Sequence, residues 1–323
     1  MKLKKIASMV LAVVTVAAIT TSFASCNNKN DDVFVVGICQ QQTHDALDAA
    51  TEGFKQALID KLGEDKVEFD YQDGAGDTNT ITTIINTFVS KKVDLIMANG
   101  TTALQNAANA TLDIPILGTS ITEYGVALNL ENFNGTVGGN VSGTSDLAPL
   151  TEQAQMIIDL FPDAKTVGML YCSSEPNSEY QVKVVTQYLT SKGITCSDYK
   201  FTDSNDVSLV AEKAANDCDV IYVPTDNTVA SCKETINSVV LPIGTPIFAG
   251  EEGICEGCGV ATLSISYYQL GYKTGEMAAQ ILTGEQNISE MPIQYDENPV
   301  KKYNKEIADE LGITIPEGYE AIE

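Results

Sequence analysis

Short apolar runs alternate with longer amphipathic segments over most of the chain, and this alternation limits the fold more than any other feature. Residues 33–39 form an almost continuous apolar run, which is typical of a parallel strand buried on both faces. Residues 45–62 follow, and Leu47, Phe54 and Leu58 recur there at helical spacing. Repetition of this unit predicts parallel sheets that are covered by helices on both faces.

The alternation occurs in two blocks, and residues 138–146 separate them. This segment reads GGNVSGTSD, and its content of Gly, Ser and Thr is typical of a crossing between lobes. Strands are predicted in the first block at 33–39, 67–71, 94–98 and 114–118, and in the second block at 166–171, 194–201, 220–223 and 247–250. We therefore predict an α/β fold with two doubly wound parallel-sheet lobes joined by a multi-strand hinge.

Each predicted lobe also contains a later part of the chain. The N-terminal lobe is predicted to comprise 33–142 and 251–285, with a strand at 260–264, and the C-terminal lobe to comprise 143–250 and 286–323. In doubly wound sheets, ligands bind beyond the carboxyl ends of the strands. We therefore expect the functional side chains in the loops that follow the strands.

The first 25 residues, 1–25, read as a secretory signal peptide. Lysines precede an apolar run that ends near residue 19, and small residues come directly before Cys26. That run is shorter than the roughly 20 residues that span a bilayer. A cysteine in this position resembles the lipobox of bacterial lipoproteins, which implies that Cys26 is lipidated and becomes the mature N-terminus. An ordinary signal peptide with a chance cysteine is the alternative, and the polar residues 26–32 predict a flexible tether.

The charge of the chain excludes some partners. There are 44 Asp and Glu residues against 19 basic residues, and every basic residue is a lysine, so the formal net charge is −25. Nucleic acid is excluded as a partner because its phosphates require a basic surface. An acidic surface repels anionic lipid head groups, so contact with the membrane is expected through the lipid on Cys26.

Motifs for enzymatic chemistry are absent or incomplete. The chain has no Gly-x-Ser-x-Gly elbow, phosphate loop or dinucleotide fingerprint, and its single histidine gives neither a catalytic triad nor a metal site. The cysteines after Cys26 are scattered, and most are predicted to be buried thiols. Cys255 and Cys258 form a C-x-x-C pair, for which a small disulfide, bare thiols and a thiol-dependent enzyme are the alternatives. We predict no enzyme activity, no cofactor and no metal.

Several phrases in the predicted loops form a recognisable set. They are ALDAA at 46–50, GGNVSG at 138–143, VPTDNTVAS at 223–231, EEG at 251–253 and YYQLG at 267–271. Together they resemble the ABC-transporter substrate-binding lipoproteins of the tryptophan/tyrosine-uptake type, which have the type I periplasmic-binding fold. The resemblance extends over about 33–316, and the phrase at 223–231 is its most specific part. The chain departs from the family at 122–124, where TEY stands in place of the frequent Thr-Asp-Pro.

The resemblance implies an extracytoplasmic receptor that is anchored by lipid to the bacterial cell membrane. Such a receptor binds a small molecule between its lobes and delivers it to an ABC permease and its ATPase. We expect the protein to be a monomer and its ligand to be an aromatic or other hydrophobic amino acid. The alternatives are a nucleoside- or sugar-binding receptor and a sensory receptor without a transporter. The absence of tryptophan, a common stacking platform for sugars, counts against a sugar.

A zwitterionic ligand requires two counter-sites of opposite charge. Its carboxylate requires hydroxyl groups and the backbone N–H groups of helix N-termini. Four residues follow predicted strands and are candidates for this contact: Thr101, Thr102, Ser120 and Thr122. For each of them, capping of the following helix is the alternative.

The ligand's ammonium requires a carboxylate. Asp226 is the first candidate because it follows the strand at 220–223 and precedes a helix, although capping of that helix is the alternative. Asn227 lies beside it, and Glu251 is the second candidate acid. Further candidates for the cleft are His44, Asp45, Ser145, Asp146 and Asn177. Candidates for an aromatic wall are Tyr124, Tyr171, Tyr180 and Tyr267, for which packing is the alternative.

Overall fold

The computed structural model describes residues 33–296 and 298–322. The predicted signal peptide, Cys26 and the tether at 26–32 lie outside the described residues. The described part contains two β-sheets, each covered by helices on both faces. The predicted α/β fold class is therefore confirmed. No helix within the described ranges is both long enough and apolar enough to cross a membrane.

Thirteen strands form the two sheets of the described part. In chain order they are β1 (Phe34–Gln40), β2 (Val67–Asp73), β3 (Leu95–Asn99), β4 (Ile116–Ile121), β5 (Val141–Ser145), β6 (Thr166–Cys172), β7 (Thr195–Phe201), β8 (Val220–Val223), β9 (Ile247–Ala249), β10 (Ala261–Ser264), β11 (Gln294–Tyr295), β12 (Val300–Tyr303) and β13 (Glu320–Ala321). The first sheet has the order β11-β5-β4-β3-β1-β2, and the second has the order β13-β12-β10-β9-β8-β6-β7. All neighbouring pairs of these strands are parallel except β10 and β12.

The helices follow the strands as the sequence pattern predicts. They are α1 (Asp45–Leu62), α2 (Thr78–Lys91), α3 (Thr101–Ala110), α4 (Tyr124–Ala127), α5 (Leu150–Leu160), α6 (Pro176–Ser191), α7 (Val207–Asp217), α8 (Asn227–Val240), α9 (Glu252–Cys258), α10 (Tyr267–Leu282) and α11 (Lys305–Glu310). Short 3-10 helices occupy Glu64–Lys66, Leu241–Ile243 and Ile288–Glu290. We call the first sheet with its covering helices α1, α2, α3 and α10 the first lobe. The second lobe is the second sheet with α5, α6, α7, α8, α9 and α11.

Four predicted lobe assignments are wrong. Residues 143–145 were predicted in the second lobe but belong to β5 in the first sheet, and 252–258 were predicted in the first lobe but form α9, which packs in the core of the second lobe. The strand predicted at 260–264 was expected in the first lobe, but β10 lies between β9 and β12 in the second sheet. The reason is that α9 packs its Ile254 and Cys255 into the core of the second lobe and returns the chain beside β9. Conversely, β11 was predicted in the second lobe and pairs with β5 in the first sheet. The other lobe bounds stay a prediction.

Close contact between α1 and α10 returns the chain to the first lobe. A Cβ atom on Gly271 would lie 1.9 Å from the carbonyl oxygen of Ala50, and one on Gly53 would lie 2.1 Å from the carbonyl oxygen of Tyr268. Only glycine permits backbones to approach this closely. This contact fixes the N-terminal ends of both helices next to each other, at the carboxyl edge of the first sheet.

Candidate functional site

A cavity lies where the carboxyl ends of the two sheets face each other. The first lobe contributes His44, Ala46, Leu47, Ser120, Thr122, Asp146 and Tyr267, and the second lobe contributes Asn177, Thr225, Asp226, Asn227, Ala230, Glu251 and Ile254. The cavity volume is about 20 Å³, which is room for little more than one water molecule. In this conformation the lobes are therefore closed, and a larger ligand requires them to separate before it enters.

Most of the sequence candidates meet in this cavity. They are His44, Ser120, Thr122, Asp146, Asn177, Asp226, Asn227 and Glu251. The structure also brings in polar and apolar residues that the sequence candidates did not include: Ala46, Leu47, Thr225, Ala230 and Ile254. Thr225 lies inside the phrase at 223–231, which was the available signal for it. The apolar residues carried no signal, because a helix start that lines a cavity has the same pattern as one that packs in a core.

Four candidates do not line the cavity. Asp45 is exposed and forms an ion pair with Lys233. Ser145 is buried and donates a hydrogen bond of 2.8 Å to the carbonyl oxygen of Thr122. Thr101 and Thr102 begin α3, where the backbone N–H of Thr102 donates to the side chain of Gln41. These hydroxyl and carboxylate groups follow strands as predicted, but they do not reach the cavity wall.

Four polar atoms around the cavity are buried and have no hydrogen-bond partner within the described residues. They are Nδ1 of His44, Oγ of Ser120, Oδ1 of Asp146 and Oδ1 of Asn177. A buried polar group without a partner is destabilising, and most such groups in folded proteins are paired. Their concentration around one cavity indicates a site that is completed by a polar ligand.

Ser120 also has a strained backbone. Its φ angle is +54°, in the left-handed region that non-glycine residues seldom adopt, and the pairing of β4 with β5 shifts register next to it. Strain of this kind costs about 1–3 kcal/mol and concentrates at functional sites. The distortion gives the Ser120 hydroxyl its place in the wall of the cavity.

Asp226 acts as a helix cap, which was the alternative interpretation. Its Oδ1 accepts a hydrogen bond of 2.9 Å from the N–H of Val229, at the start of α8. Its Oδ2 accepts hydrogen bonds of 2.8 Å from the N–H of Cys172 and 2.7 Å from the hydroxyl of Ser178. Burial, with a smaller effect of nearby Glu175, raises the pKa of Asp226 well above its usual range. Both oxygens of Asp226 therefore already accept hydrogen bonds from the protein, and its contact with a ligand ammonium stays a prediction.

Glu251 is a cap as well. Its two oxygens accept hydrogen bonds of 2.5 Å and 2.6 Å from the N–H groups of Ile254 and Gly253 at the start of α9. Burial raises its pKa to about 7, against the lowering effect of those hydrogen bonds. The second candidate acid therefore also has its oxygens committed to the backbone.

Asp146 is the carboxylate that retains a free oxygen. It is buried directly after β5, and its Oδ2 accepts a hydrogen bond of 2.9 Å from the hydroxyl of Tyr267. Its Oδ1 has no partner among the described residues. Burial raises the pKa of Asp146, and the Tyr267 hydrogen bond and the nearby hydroxyl of Thr122 oppose that rise. A cationic group at Oδ1 would compensate the cost of burying this charge.

Hydrogen bonds cross from one lobe to the other at the edge of the cavity. His44 occupies the N-cap position of α1 without a capping hydrogen bond from its side chain, and its Nε2 lies 3.1 Å from Oδ1 of Asn227 in the second lobe. The hydroxyls of Thr122 and Thr225 lie 3.4 Å apart across the same interface. Gln42 donates to the carbonyl oxygen of Asn227, and Lys233 pairs with Asp45. These contacts exist only when the lobes are closed, so they favour the closed conformation.

The C-x-x-C pair consists of free thiols. Cys255 and Cys258 are both buried in α9, and neither forms a disulfide. Burial raises the pKa of Cys258 to about 12 and that of Cys255 well above its ordinary value. Thiols with raised pKa values are poor nucleophiles and poor metal ligands. Within the described ranges, no group of three His, Cys, Asp or Glu side chains could hold a metal ion.

Two sheet-based lobes that enclose a polar cavity at their facing carboxyl edges form the type I periplasmic-binding fold. Residues 35–321 match the family model described as ABC transporter substrate binding protein. The chain therefore belongs to the family of ABC-transporter substrate-binding proteins. Proteins of this family act outside the cytoplasm as the receptors of ABC importers.

Named relatives and solved structures agree with this assignment. A tyrosine-binding protein of Clostridioides difficile (strain R20291) is 36% identical over 307 residues, which is 90% of this chain and 88% of the relative. A Streptococcus pneumoniae ABC domain in complex with L-Trp is 32% identical with a TM-score of 0.85, over 90% of this chain and all of that chain (100%). A ligand-free, open substrate-binding protein with adhesive properties from Clostridium difficile is 36% identical with a TM-score of 0.69, over 90% of this chain and 99% of that chain.

The two solved structures differ in how well they superpose on this chain. The more identical one is open and ligand-free and gives the lower TM-score, whereas the L-Trp complex gives the higher one. Sequence identity does not explain this difference, because the less identical structure superposes better. The arrangement of the lobes described here therefore resembles that of the L-Trp complex more than that of the open structure.

Proposed function

We propose that this protein binds an aromatic amino acid between its lobes and delivers it to an ABC permease. The observation that carries this proposal is the buried and unpartnered Oδ1 of Asp146. An ammonium group is the natural partner for a buried carboxylate, because a buried charge is tolerated when it is paired and hydrogen-bonded. Asn177 Oδ1 offers a further acceptor on the opposite lobe.

The carboxylate of the ligand has its own partner in this proposal. Ser120 contributes a buried hydroxyl without a partner among the described residues, and the hydroxyls of Thr122 and Thr225 line the same cavity. Hydroxyl groups donate to a carboxylate without adding a charge to the site. The names of the relatives support the class of side chain, since one is a tyrosine-binding protein and another is in complex with L-Trp.

We also propose that the receptor is a monomer anchored by lipid at Cys26, after removal of the signal peptide at 1–25. The polar tether at 26–32 would keep the acidic body close to the permease and raise its effective concentration there. Delivery then requires the lobes to open by bending at the crossings between them. Retention of the protein in a detergent phase, and its loss from that phase in Cys26→Ala, tests the anchor.

The amino-acid site is tested by Asp146→Asn. This change keeps the shape of the side chain and an acceptor for Tyr267, but it removes the negative charge. We expect the affinity for L-tyrosine and L-tryptophan to fall at least about 100-fold, since breaking a buried ion pair costs about 3–5 kcal/mol. Isothermal titration calorimetry on protein freed of bound ligand by unfolding, dialysis and refolding measures this loss.

Asp45→Asn is the matched control, because Asp45 is an exposed acid outside the cavity. It makes the same chemical change and should alter the affinity by less than about tenfold, since an exposed ion pair contributes at most about 1 kcal/mol. An unchanged affinity in Asp146→Asn would contradict the proposed ammonium site. Tight binding of the wild-type protein to an uncharged sugar or a nucleoside, and to no amino acid, would contradict the proposed ligand class.

A further inference from the structure

The single histidine of the chain presents a buried ring nitrogen to the cavity. His44 lies between β1 and α1, and its Nδ1 has no hydrogen-bond partner within the described residues. Its other nitrogen, Nε2, lies 3.1 Å from Oδ1 of Asn227. Because His44 lines the cavity and this nitrogen is unpaired, the protonation of Nδ1 decides what a ligand that meets it must offer.

The partners of Asn227 determine which nitrogen of His44 carries the proton. Asn227 Nδ2 donates a hydrogen bond of 2.7 Å to Oε2 of Glu175, which fixes the orientation of the amide. The backbone N–H of Asn227 donates to the same oxygen at 3.0 Å. Asn227 Oδ1 therefore faces His44 as an acceptor, and Nε2 of His44 must donate. A neutral imidazole with its proton on Nε2 has an acceptor at Nδ1.

Burial keeps this imidazole neutral. It lowers the pKa of His44 below the ordinary value, although the Asn227 hydrogen bond and the negative charges of Glu175, Asp48 and Asp45 oppose the effect. A doubly protonated ring would instead place a second N–H donor in the cavity. With the ring neutral, the group that meets Nδ1 must be a donor.

The surroundings of His44 suit the side chain of a ligand better than its charged groups. The apolar lining of the cavity comes from Ala46, Leu47, Ala230 and Ile254, and two of these residues follow His44 on α1. Asp146, by contrast, follows β5, and β4 and β3 separate β5 from β1. Neighbouring strands are about 4.8 Å apart, so the ends of β5 and β1 are roughly 14 Å apart. His44 and Asp146 therefore reach the cavity from well-separated strand ends.

We infer that His44 is a specificity-determining residue that accepts a hydrogen bond from the ring of an aromatic amino acid. Ligands with a ring-borne donor, such as the phenol O–H of tyrosine or the indole N–H of tryptophan, satisfy Nδ1. Phenylalanine leaves this nitrogen buried and unpaired, so the site discriminates against it. The inference rests on the proposed function, because it assumes that an amino acid occupies the cavity.

The first test compares L-tyrosine with L-phenylalanine by calorimetry. An unpaired buried acceptor lowers affinity about 5- to 150-fold, so wild-type protein should prefer L-tyrosine by a factor in this range. His44→Phe keeps a ring but has no acceptor, and the tyrosine-to-phenylalanine ratio should fall to near one. The ratio is the readout, since the loss of the bond to Asn227 affects closure around both ligands.

Gln42→Ala is the control for that bond between the lobes. Gln42 also bonds to Asn227 but does not line the cavity, so its removal should change both affinities by the same factor. If His44→Phe weakens both ligands equally, so that the tyrosine-to-phenylalanine ratio is unchanged, the inference is overturned and the proposed function stays intact. Wild-type protein that binds neither amino acid would instead overturn the proposed function.

The second test uses NMR to observe which nitrogen of His44 carries the proton. It uses the wild-type protein, so it does not require a folded variant. Protein labelled with ¹⁵N-histidine and purified without a polyhistidine tag contains one imidazole, so its two nitrogen resonances need no assignment by mutation. We expect the proton on Nε2, and a change of the Nδ1 resonance with L-tyrosine that L-phenylalanine does not produce. A proton on Nδ1, or equal responses to the two ligands, would refute the role of His44.

Discussion

Replacement of Glu251 by Gln should change how the stability of the protein depends on pH. Burial raises the pKa of Glu251 from 4.5 to about 7. The folded state therefore holds its proton more tightly than the unfolded state. A group of this kind opposes folding as the pH rises, because its ionisation is easier in the unfolded chain. The stability that the protonated group contributes is complete below pH 4.5 and is lost progressively as the pH rises to about 7.

The size of the effect follows from the pKa shift. Each pKa unit corresponds to about 1.4 kcal/mol, so ionisation of Glu251 should lower the free energy of unfolding by roughly 2–3 kcal/mol between about pH 5 and pH 8. The glutamine side chain of the variant cannot ionise, and its amide can accept from only one of the two N–H groups that Glu251 caps. The variant should therefore lose about 1 kcal/mol at about pH 5 as a weakened cap.

Urea unfolding at about pH 5 and pH 8 measures this difference. The gap between wild type and Glu251→Gln should narrow or reverse at the higher pH, where the wild-type carboxylate is charged. Glu64→Gln is the control, because Glu64 is exposed and its replacement should leave the pH profile parallel to that of the wild type. Parallel profiles for wild type and Glu251→Gln would show that the pKa of Glu251 is not raised in the folded state.

Two other substitutions test the packing and closure of the lobes. Gly271→Ala should lower the free energy of unfolding, measured in urea, by about 1–3 kcal/mol, because its Cβ would lie 1.9 Å from the Ala50 carbonyl oxygen. A variant as stable as the wild type would contradict the close α1–α10 contact. Lys233→Met removes the ion pair with Asp45 between the lobes. The closed state should then be less stable, and L-tyrosine binding should weaken about two- to fivefold. Tighter binding would show that this ion pair does not stabilise the closed state.

Much of the fold could be predicted because it depends on regular periodicity. The helix predicted at 45–62 has the same bounds in the structure, since its apolar face has the spacing of a buried helix. The placement of β10 and β11 could not be predicted in the same way. β11 has two residues and no periodic pattern, and the lobe of β10 depends on the packing of α9.

The candidate site could be predicted in outline but not in the roles of its acids. Asp226, Glu251 and Asp146 all follow strands, so the sequence pattern favours each as a cleft residue. What separates them is the number of occupied oxygens. Asp226 and Glu251 are held by backbone N–H groups, whereas Asp146 keeps one oxygen free of any partner in the described part of the chain. That difference depends on three-dimensional contacts that no local pattern encodes.

Both charged groups of an amino-acid ligand should be recognised in the cavity between the lobes. Calorimetric titration of the wild-type protein with L-tyrosine, N-acetyl-L-tyrosine and tyramine measures the contribution of each charged group to the affinity. N-acetyl-L-tyrosine lacks the ammonium that Asp146 would bind, and tyramine lacks the carboxylate that Ser120 would bind. We predict that L-tyrosine binds and that both analogues lose at least about 100-fold in affinity. Binding of either analogue as tight as that of L-tyrosine would show that the missing charged group is not recognised in this cavity.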